Sequence, residues 1–303
     1  VELSDLEELS LEDDKAKSSF FYKDYDPVTF HMLKVKAADL ADQITLIDIG
    51  VFQSIKSEEF LSGNWSKKNK RTLAPNVMRF TDRFNVVCLW CQQEILAYDK
   101  PSKRAEVMAH FIKIGKHLAL LRNMHSTFAI VSALQSHSVH RLTKTWECLN
   151  RKDRNTFLKL ASLFDSDRNW EKLRHYLEST SLPCIPYLGM FLTDLNFIEA
   201  QNSENPTGMC SKEMKIENVI CKIKWFQHSS YENIRRIDCI RKYLTSMKYH
   251  EELVKFVEDD IYKRSLSCEP DCKPPSSSKF VPVYEQKAAT ISRIQFRPRD
   301  EED

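Results

Sequence analysis

The stretch Phe111-Ile112-Lys113-Ile114-Gly115-Lys116-His117-Leu118-Ala119-Leu120-Leu121 decides the fold class, because Phe111, Ile114, Leu118 and Leu121 recur every three or four residues. That spacing lines one stripe of an α-helix. The same period returns at Ile216, Val219, Ile220, Ile223 and Phe226. Breaks fall between such windows, at Asp99-Lys100-Pro101-Ser102, at Ser181-Leu182-Pro183 and at Asn202-Ser203-Glu204-Asn205-Pro206-Thr207-Gly208. Only five glycines occur in 303 residues, and no Asn-Gly or Asp-Gly pair is present to turn a tight β-hairpin. The expectation is an all-α domain of about ten helices joined by short polar loops.

Composition narrows the function classes. With 42% hydrophobic residues the chain can build a core. Its 45 lysines and arginines stand against 43 acids, and a net charge of +2 offers no broad footprint for nucleic acid. The longest apolar runs, such as Val86-Val87-Cys88-Leu89-Trp90-Cys91, fall far short of the roughly 20 residues of a membrane span. Residues 1–15 are acidic where a signal peptide is basic and then apolar, and the nine cysteines lack disulfide-framework spacing, so a reducing cytoplasm is expected. The ends differ from the middle. Residues 1–26 read as an acidic segment in which Leu3, Leu6, Leu9 and Leu11 suit either an amphipathic helix or a solvated tail. Residues 271–303 read as a Pro/Ser-rich linker and tail, with β-type alternation at Phe280-Val281-Pro282-Val283-Tyr284.

Chemical motifs are sparse. Cys88 and Cys91 have the spacing of a redox pair or half a zinc site, with Cys268 and Cys272 as a conceivable other half. The first pair lies in an apolar helical window and the second in a Pro-rich region, so buried free thiols are expected and no metal. His110 with His117, and His137 with His140, carry no intervening metalloprotease glutamate. Lys67, Lys68, Lys70 and Arg71 read as a solvated helix face. No nucleophile elbow, P-loop or dinucleotide fingerprint occurs, so neither a cofactor nor covalent chemistry is expected. The large apolar residues Trp65, Trp90, Trp146, Leu142 and Leu266 are expected in the core.

An ordered series of segments carries the functional reading. Gln43-Ile44-Thr45-Leu46-Ile47-Asp48-Ile49, Glu59, Trp65-Ser66-Lys67-Lys68, Ala74-Pro75-Asn76-Val77, Arg104-Ala105-Glu106 and Asn123 are followed by Arg141-Leu142-Thr143-Lys144-Thr145-Trp146, then by Pro183-Cys184-Ile185-Pro186-Tyr187-Leu188-Gly189 and Glu269-Pro270. Together they resemble the Cdc25-homology (RasGEF) catalytic domain over residues 27–270. Within it, Leu73 to Val77, Asn150-Arg151-Lys152-Asp153 and Phe256-Val257-Glu258-Asp259-Asp260 look most like the RalGPS type of Ral exchange factor. Many Ras exchange factors place a helical accessory domain before the catalytic one. The short segment preceding residue 27 suits the RalGPS type, which lacks it, and a trimmed chain would look the same.

The resemblance implies an all-α helical bowl from which a helical hairpin protrudes, here residues 186–200, a polar loop to 209, and residues 211–227. It implies an exchange factor that binds a Ras-family small GTPase, most closely Ral. The hairpin wedges beside the nucleotide, moves switch I and promotes GDP release and GTP loading without making or breaking a covalent bond. Tyr187 matches the aromatic at the hairpin base and Thr193 a hydroxyl residue on the inserted helix. Asn196 stands where the best-known Ras factor has an apolar side chain, and Ala200 where it has a glutamate that Glu199 could replace. Asn202 matches an asparagine at the helix end, which is equally a helix cap. Thr81, Arg83, Gln135, His137 and His140 align with positions that hold switch II, Arg83 facing a switch carboxylate. Gln135 and His140 replace an asparagine and a tyrosine, the kind of change that alters client choice. Alternatives stay open: an exchange factor for Rap or Ras, a RasGEF-fold adaptor without exchange activity, or a helical scaffold. Neither nucleic acid nor membrane insertion is implied, and membrane recruitment would belong to parts outside this chain.

Overall fold

The computed structural model describes residues 31–166, 168–201 and 209–270. Among these residues there is no β-strand, and thirteen α-helices follow one another: α1 (Ala37–Gln53), α2 (Lys70–Leu73), α3 (Pro75–Leu96), α4 (Pro101–Leu120), α5 (Met124–Leu134), α6 (His137–His140), α7 (Thr143–Cys148), α8 (Arg151–Leu163), α9 (Glu171–Ser179), α10 (Leu188–Gln201), α11 (Met209–Gln227), α12 (Asp238–Ser246) and α13 (Val254–Cys268). The all-α class is as expected. The excess over ten comes from α2, α6 and α7, which are too short for a helical stripe to show in sequence. Residues 1–30, the loop with Asn202, Cys272 and the 271–303 tail with its alternating segment lie outside the described residues.

Helix starts follow local chemistry. Pro75 and Pro101 sit in the first turns of α3 and α4, where a missing N–H costs nothing. Asn123 and Asn150 cap α5 and α8 by accepting from Ser126 N and Asp153 N. Glu59 is buried, and its carboxylate accepts from Asn76 N at 2.7 Å and Val77 N at 3.0 Å, placing negative charge at the positive end of α3. This explains why Glu59 belongs with Ala74–Val77 in one motif.

At the centre stands α4, whose Val107, Met108, Phe111, Ile112, Ile114 and Leu118 are fully buried against α1, α3, α5, α7 and α8. Trp65, Trp90 and Leu142 are in the core as expected, and Trp146 is half-buried with its indole N–H donated to Val139 O. Leu266 corrects the reading. It is 38% exposed, because α13 turns Ile261 and Ser265 inward and leaves Leu266 on the outer face. The basic cluster is also not a solvated face throughout. Lys70 Nζ reaches Glu251 at 2.6 Å, and Arg71 spans Asp82 and Glu251, so these two side chains tether α2 to the segment before α13.

One ion pair is entirely withdrawn from water. Arg104 Nη2 donates to Glu269 Oε1 at 2.7 Å, with both side chains at most 1% exposed. Arg104 also donates to Thr145 Oγ1, Tyr98 O and Asp99 O, while Glu269 accepts from Lys144 N and the Thr145 hydroxyl. Such a pair is tolerable only when its remaining hydrogen bonds are satisfied, and here it ties the end of α13 to α4 and α7. Glu269→Ala, which strands the guanidinium, is expected to lower unfolding free energy by about 3–5 kcal/mol in urea titrations. Glu269→Gln retains an acceptor and is expected to cost clearly less.

Candidate functional site

The two arms of the helical hairpin, α10 and α11, pack on each other and are rooted at one place. Before α10, Ile185 runs beside the cap of α5: its N–H donates to Arg122 O at 3.0 Å and its carbonyl accepts from Met124 N at 2.8 Å. The Ser229 hydroxyl, just after α11, donates to Cys184 O and accepts from Cys184 N, both at 2.9 Å. Two glutamines then lock this root to the end of α1. Gln227 Nε2 donates to Phe52 O and Ile55 O, and Gln53 Nε2 donates to Gln227 O and Ser229 O. Burial is confined to the near half: Leu188, Phe191, Leu195, Ile220, Ile223 and Phe226 are buried, whereas Phe197 is 62% and Met214 60% exposed.

Tyr187 lies at the root rather than on the exposed face. It is buried against Phe128, edge-on with centroids 4.6 Å apart, and against Phe84 at 5.7 Å. Burial pushes its phenol well above the usual tyrosine range. Its hydroxyl occupies the space where residue 189 would carry a side chain, so a Cβ there would collide with that oxygen. Gly189 is therefore required by close approach, and Tyr187 positions the first turn of α10.

Thr193 Oγ1 donates back to Gly189 O at 2.9 Å, and Asn196 is half-buried on the same helix. Glu199 is engaged across the hairpin by Lys212 Nζ at 2.5 Å, both partly exposed. Asn202 lies outside the described residues. Thr81, on α3, lines one cleft with Tyr187, Leu192, Asp82 and Tyr249, so the structure brings Thr81 and the hairpin base together. Arg83 points elsewhere. Its guanidinium is turned inward to Asp48 Oδ1 at 3.2 Å with 11% of the side chain exposed, and its Nη2 has no hydrogen-bond partner among the described residues. Gln135, His137 and His140 cluster at the corner between α5 and α6, away from that cleft's lining. Gln135 is buried, and exposed His137 meets Tyr262 of α13 edge-on at 5.2 Å. Burial, with the His137 charge second, lowers the His140 pKa.

The Asp48 knot escaped sequence reading as a site. Fully buried Asp48 accepts from Arg83, from Asn123 Nδ2 at 3.0 Å and from Ser126 Oγ at 2.5 Å, joining α1, α3 and α5 beneath the hairpin root. Its signal was a lone acid inside an apolar helical window. Cys88 and Cys91 are free thiols, Cys91 buried as expected and Cys88 half-buried, and desolvation pushes the Cys88 thiol up to about 12. No helix among the described residues is long and apolar enough to cross a membrane.

The described residues thus form an all-α domain with a helical hairpin rooted beside a cleft on α3. The RasGEF domain model matches residues 39–220, and the chain belongs to that family. It is 44% identical over 282 residues to "Ras-specific guanine nucleotide-releasing factor RalGPS1" of Mus musculus, covering 91% of this chain and 48% of that protein. It is 42% identical over 265 residues to RalGPS2 of Homo sapiens, 86% of this chain and 46% of that protein. "Ras guanine nucleotide exchange factor J" of Dictyostelium discoideum is 36% identical over 245 residues, 80% of this chain and 29% of that protein. The chain spans about half the length of the RalGPS relatives it matches, and the resemblance to the RalGPS type is borne out.

Buried His125 stacks on Phe80 with ring centroids 3.7 Å apart and is expected to weaken folding in acid. Burial lowers its pKa to about 4, despite the Asp48 charge and a hydrogen bond to Phe80 O. The unfolded chain takes up this proton near pH ~6.5 and the folded chain only near pH 4, so stability present above that window falls as pH drops through it. Roughly 2 kcal/mol is lost on this account by pH ~5. In urea titrations at stepped pH, His125→Gln is expected to lose less stability than the wild type between pH ~6.5 and pH ~5.

Proposed function

We propose that this domain is a guanine-nucleotide exchange factor for a Ras-family small GTPase, with Ral as its client, and that its hairpin opens switch I to release GDP and admit GTP. The observation that carries the reading is the hairpin itself: rooted by paired hydrogen bonds at Ser229 and Gln227, buried only in its near half, and bearing exposed apolar Phe197 and Met214 beyond it. An exposed apolar side chain on a braced helix suits insertion into another protein. Membership of the RasGEF family and the names of the RalGPS relatives support this class of partner and of activity.

No residue of the hairpin needs acid–base chemistry for this task. Exchange is linkage: a domain that prefers the nucleotide-free GTPase weakens nucleotide binding by the same factor, and nucleotide rebinding expels the domain. A ~10⁴-fold effect requires about 5.5 kcal/mol of differential binding, which needs an extended interface. The hairpin face with Thr193, Asn196 and Phe197 and the cleft at Thr81 supply two parts of it. Gln135, His137 and His140 at the α5–α6 corner supply a third, where client choice is set. Glu199, held by Lys212, contributes by stiffening the distal half of the hairpin.

Release of a fluorescent GDP analogue from purified Ral, Rap and Ras tests this. Acceleration is expected on Ral above the other two, and Phe197→Ala with Thr193→Ala is expected to slow it about 10-fold or more. Phe197 is exposed and Thr193 half-buried, so the double variant is expected to fold. Tyr187→Ala is a poorer probe, since removing a buried aromatic costs about 3–5 kcal/mol of stability. No acceleration on any of the three by the folded wild type would overturn the reading.

A further inference from the structure

A second element grips the hairpin from the side. Residues 168–170 pass through left-handed backbone in succession, at Arg168 (φ 48°), Asn169 (φ 58°) and Trp170 (φ 58°). None is glycine, so this turn holds a conformation that the surroundings must enforce. Asn169 O accepts from Arg174 Nε at 2.7 Å. The same guanidinium donates from Nη1 to Asp194 Oδ2 at 2.9 Å and from Nη2 to Asp194 Oδ1 at 2.7 Å. One planar fork therefore joins the left-handed turn, α9 and the inserted helix α10.

Trp170, 6% exposed, sets its ring edge-on to Tyr187 with centroids 6.2 Å apart. The segment leading into α9 thus holds α10 twice, at its root through Tyr187 and two turns further on through Asp194. Seven helical residues separate the two points, about 10 Å along the axis. A single contact leaves a helix free to pivot, whereas two so far apart fix its direction. Past Leu195 the helix becomes more exposed, so any tilt at this fork is magnified at Phe197 and beyond.

We propose that Arg174 and Asp194 are positioning residues for exchange: their fork sets the angle of α10 and so where Thr193 and Asn196 meet the GTPase. The inference deepens the exchange reading and rests on it. The pair's side chains are 28% and 22% exposed, and its bidentate geometry supplies direction. Lysine could not replace Arg174, because it cannot form the fork while also reaching Asn169 O.

The test combines two readouts on the whole chain: kcat and KM for GDP release from Ral, and hairpin orientation by electron–electron spin resonance between labels at exposed Met214 and Leu158, placed through a non-natural amino acid. Arg174→Gln and Asp194→Asn are each expected to lower kcat about 10-fold with KM within about 2-fold. The double variant is expected to be no worse than either, because the two act as one unit. The distance distribution broadens in all three. Losses that multiply in the double variant, a change confined to KM, or an unbroadened distribution would each overturn the proposal. If the wild type drives no client, the exchange reading fails, and the distances alone decide whether the fork fixes the hairpin: broadening upholds that brace and an unchanged distribution sinks it.

Discussion

The hairpin can push on another molecule only if its root does not give, and the hydrogen bonds around Ser229 are what hold that root. One hydroxyl closes the base by serving both polar groups of Cys184. Gln53 and Gln227 exchange amide hydrogen bonds with the ends of each other's helices, fastening the closed base to α1. Helix–helix packing alone would leave α10 and α11 free to slide, because apolar contact is not directional. Hydrogen bonds are directional, and the buried pair between Ser229 and Cys184 costs its full desolvation if broken. The load path runs from the hairpin through this root into α1, and from α1 through Asp48 into α3 and α5.

Buried charge is used here for register. Asp48, Glu59 and the Arg104–Glu269 pair each join elements far apart in sequence, and each has its hydrogen bonds met by partners that exist only in the correct arrangement. Such groups add little net stability compared with an apolar core, yet any misfolded arrangement that strands them is heavily penalised. On the proposed exchange reading, a domain whose work depends on the direction of one helical arm has reason to specify its frame in this way. Tyr187 plays the apolar counterpart, filling the space under the first turn of α10 that Gly189 leaves open.

Much of the fold was legible, for physical reasons. The apolar period at Phe111–Leu121 marks α4 because that helix is surrounded by protein, and Pro101 marks its start because proline suits a first turn. The second hairpin helix was legible in the period from Ile216 to Phe226, whereas the first was placed only by likeness to a family; their ends are shifted by about two residues, as helix boundaries usually are. Short α2, α6 and α7 were not, since four to six residues carry no period. Leu266 was misread because periodicity does not say which stripe of α13 faces inward. The roles of Lys70 and Arg71 were missed because their partner Glu251 lies about 180 residues away. Tyr187 and Thr193 could be placed by likeness to a family. That Tyr187 works from beneath the hairpin, and that Arg83 is turned inward to Asp48, required coordinates.

The central claim is that a rigidly rooted hairpin favours the nucleotide-free state of its GTPase. Its most direct measurement is the affinity of this domain for Ral stripped of nucleotide compared with Ral loaded with GDP, by biolayer interferometry at fixed salt. The account predicts that the stripped form binds at least ~10⁴-fold more tightly, the factor linkage demands of an efficient exchange factor. Equal affinity for the two forms, with the domain folded and binding measurable, would contradict it, because a domain that does not distinguish the states cannot shift nucleotide between them.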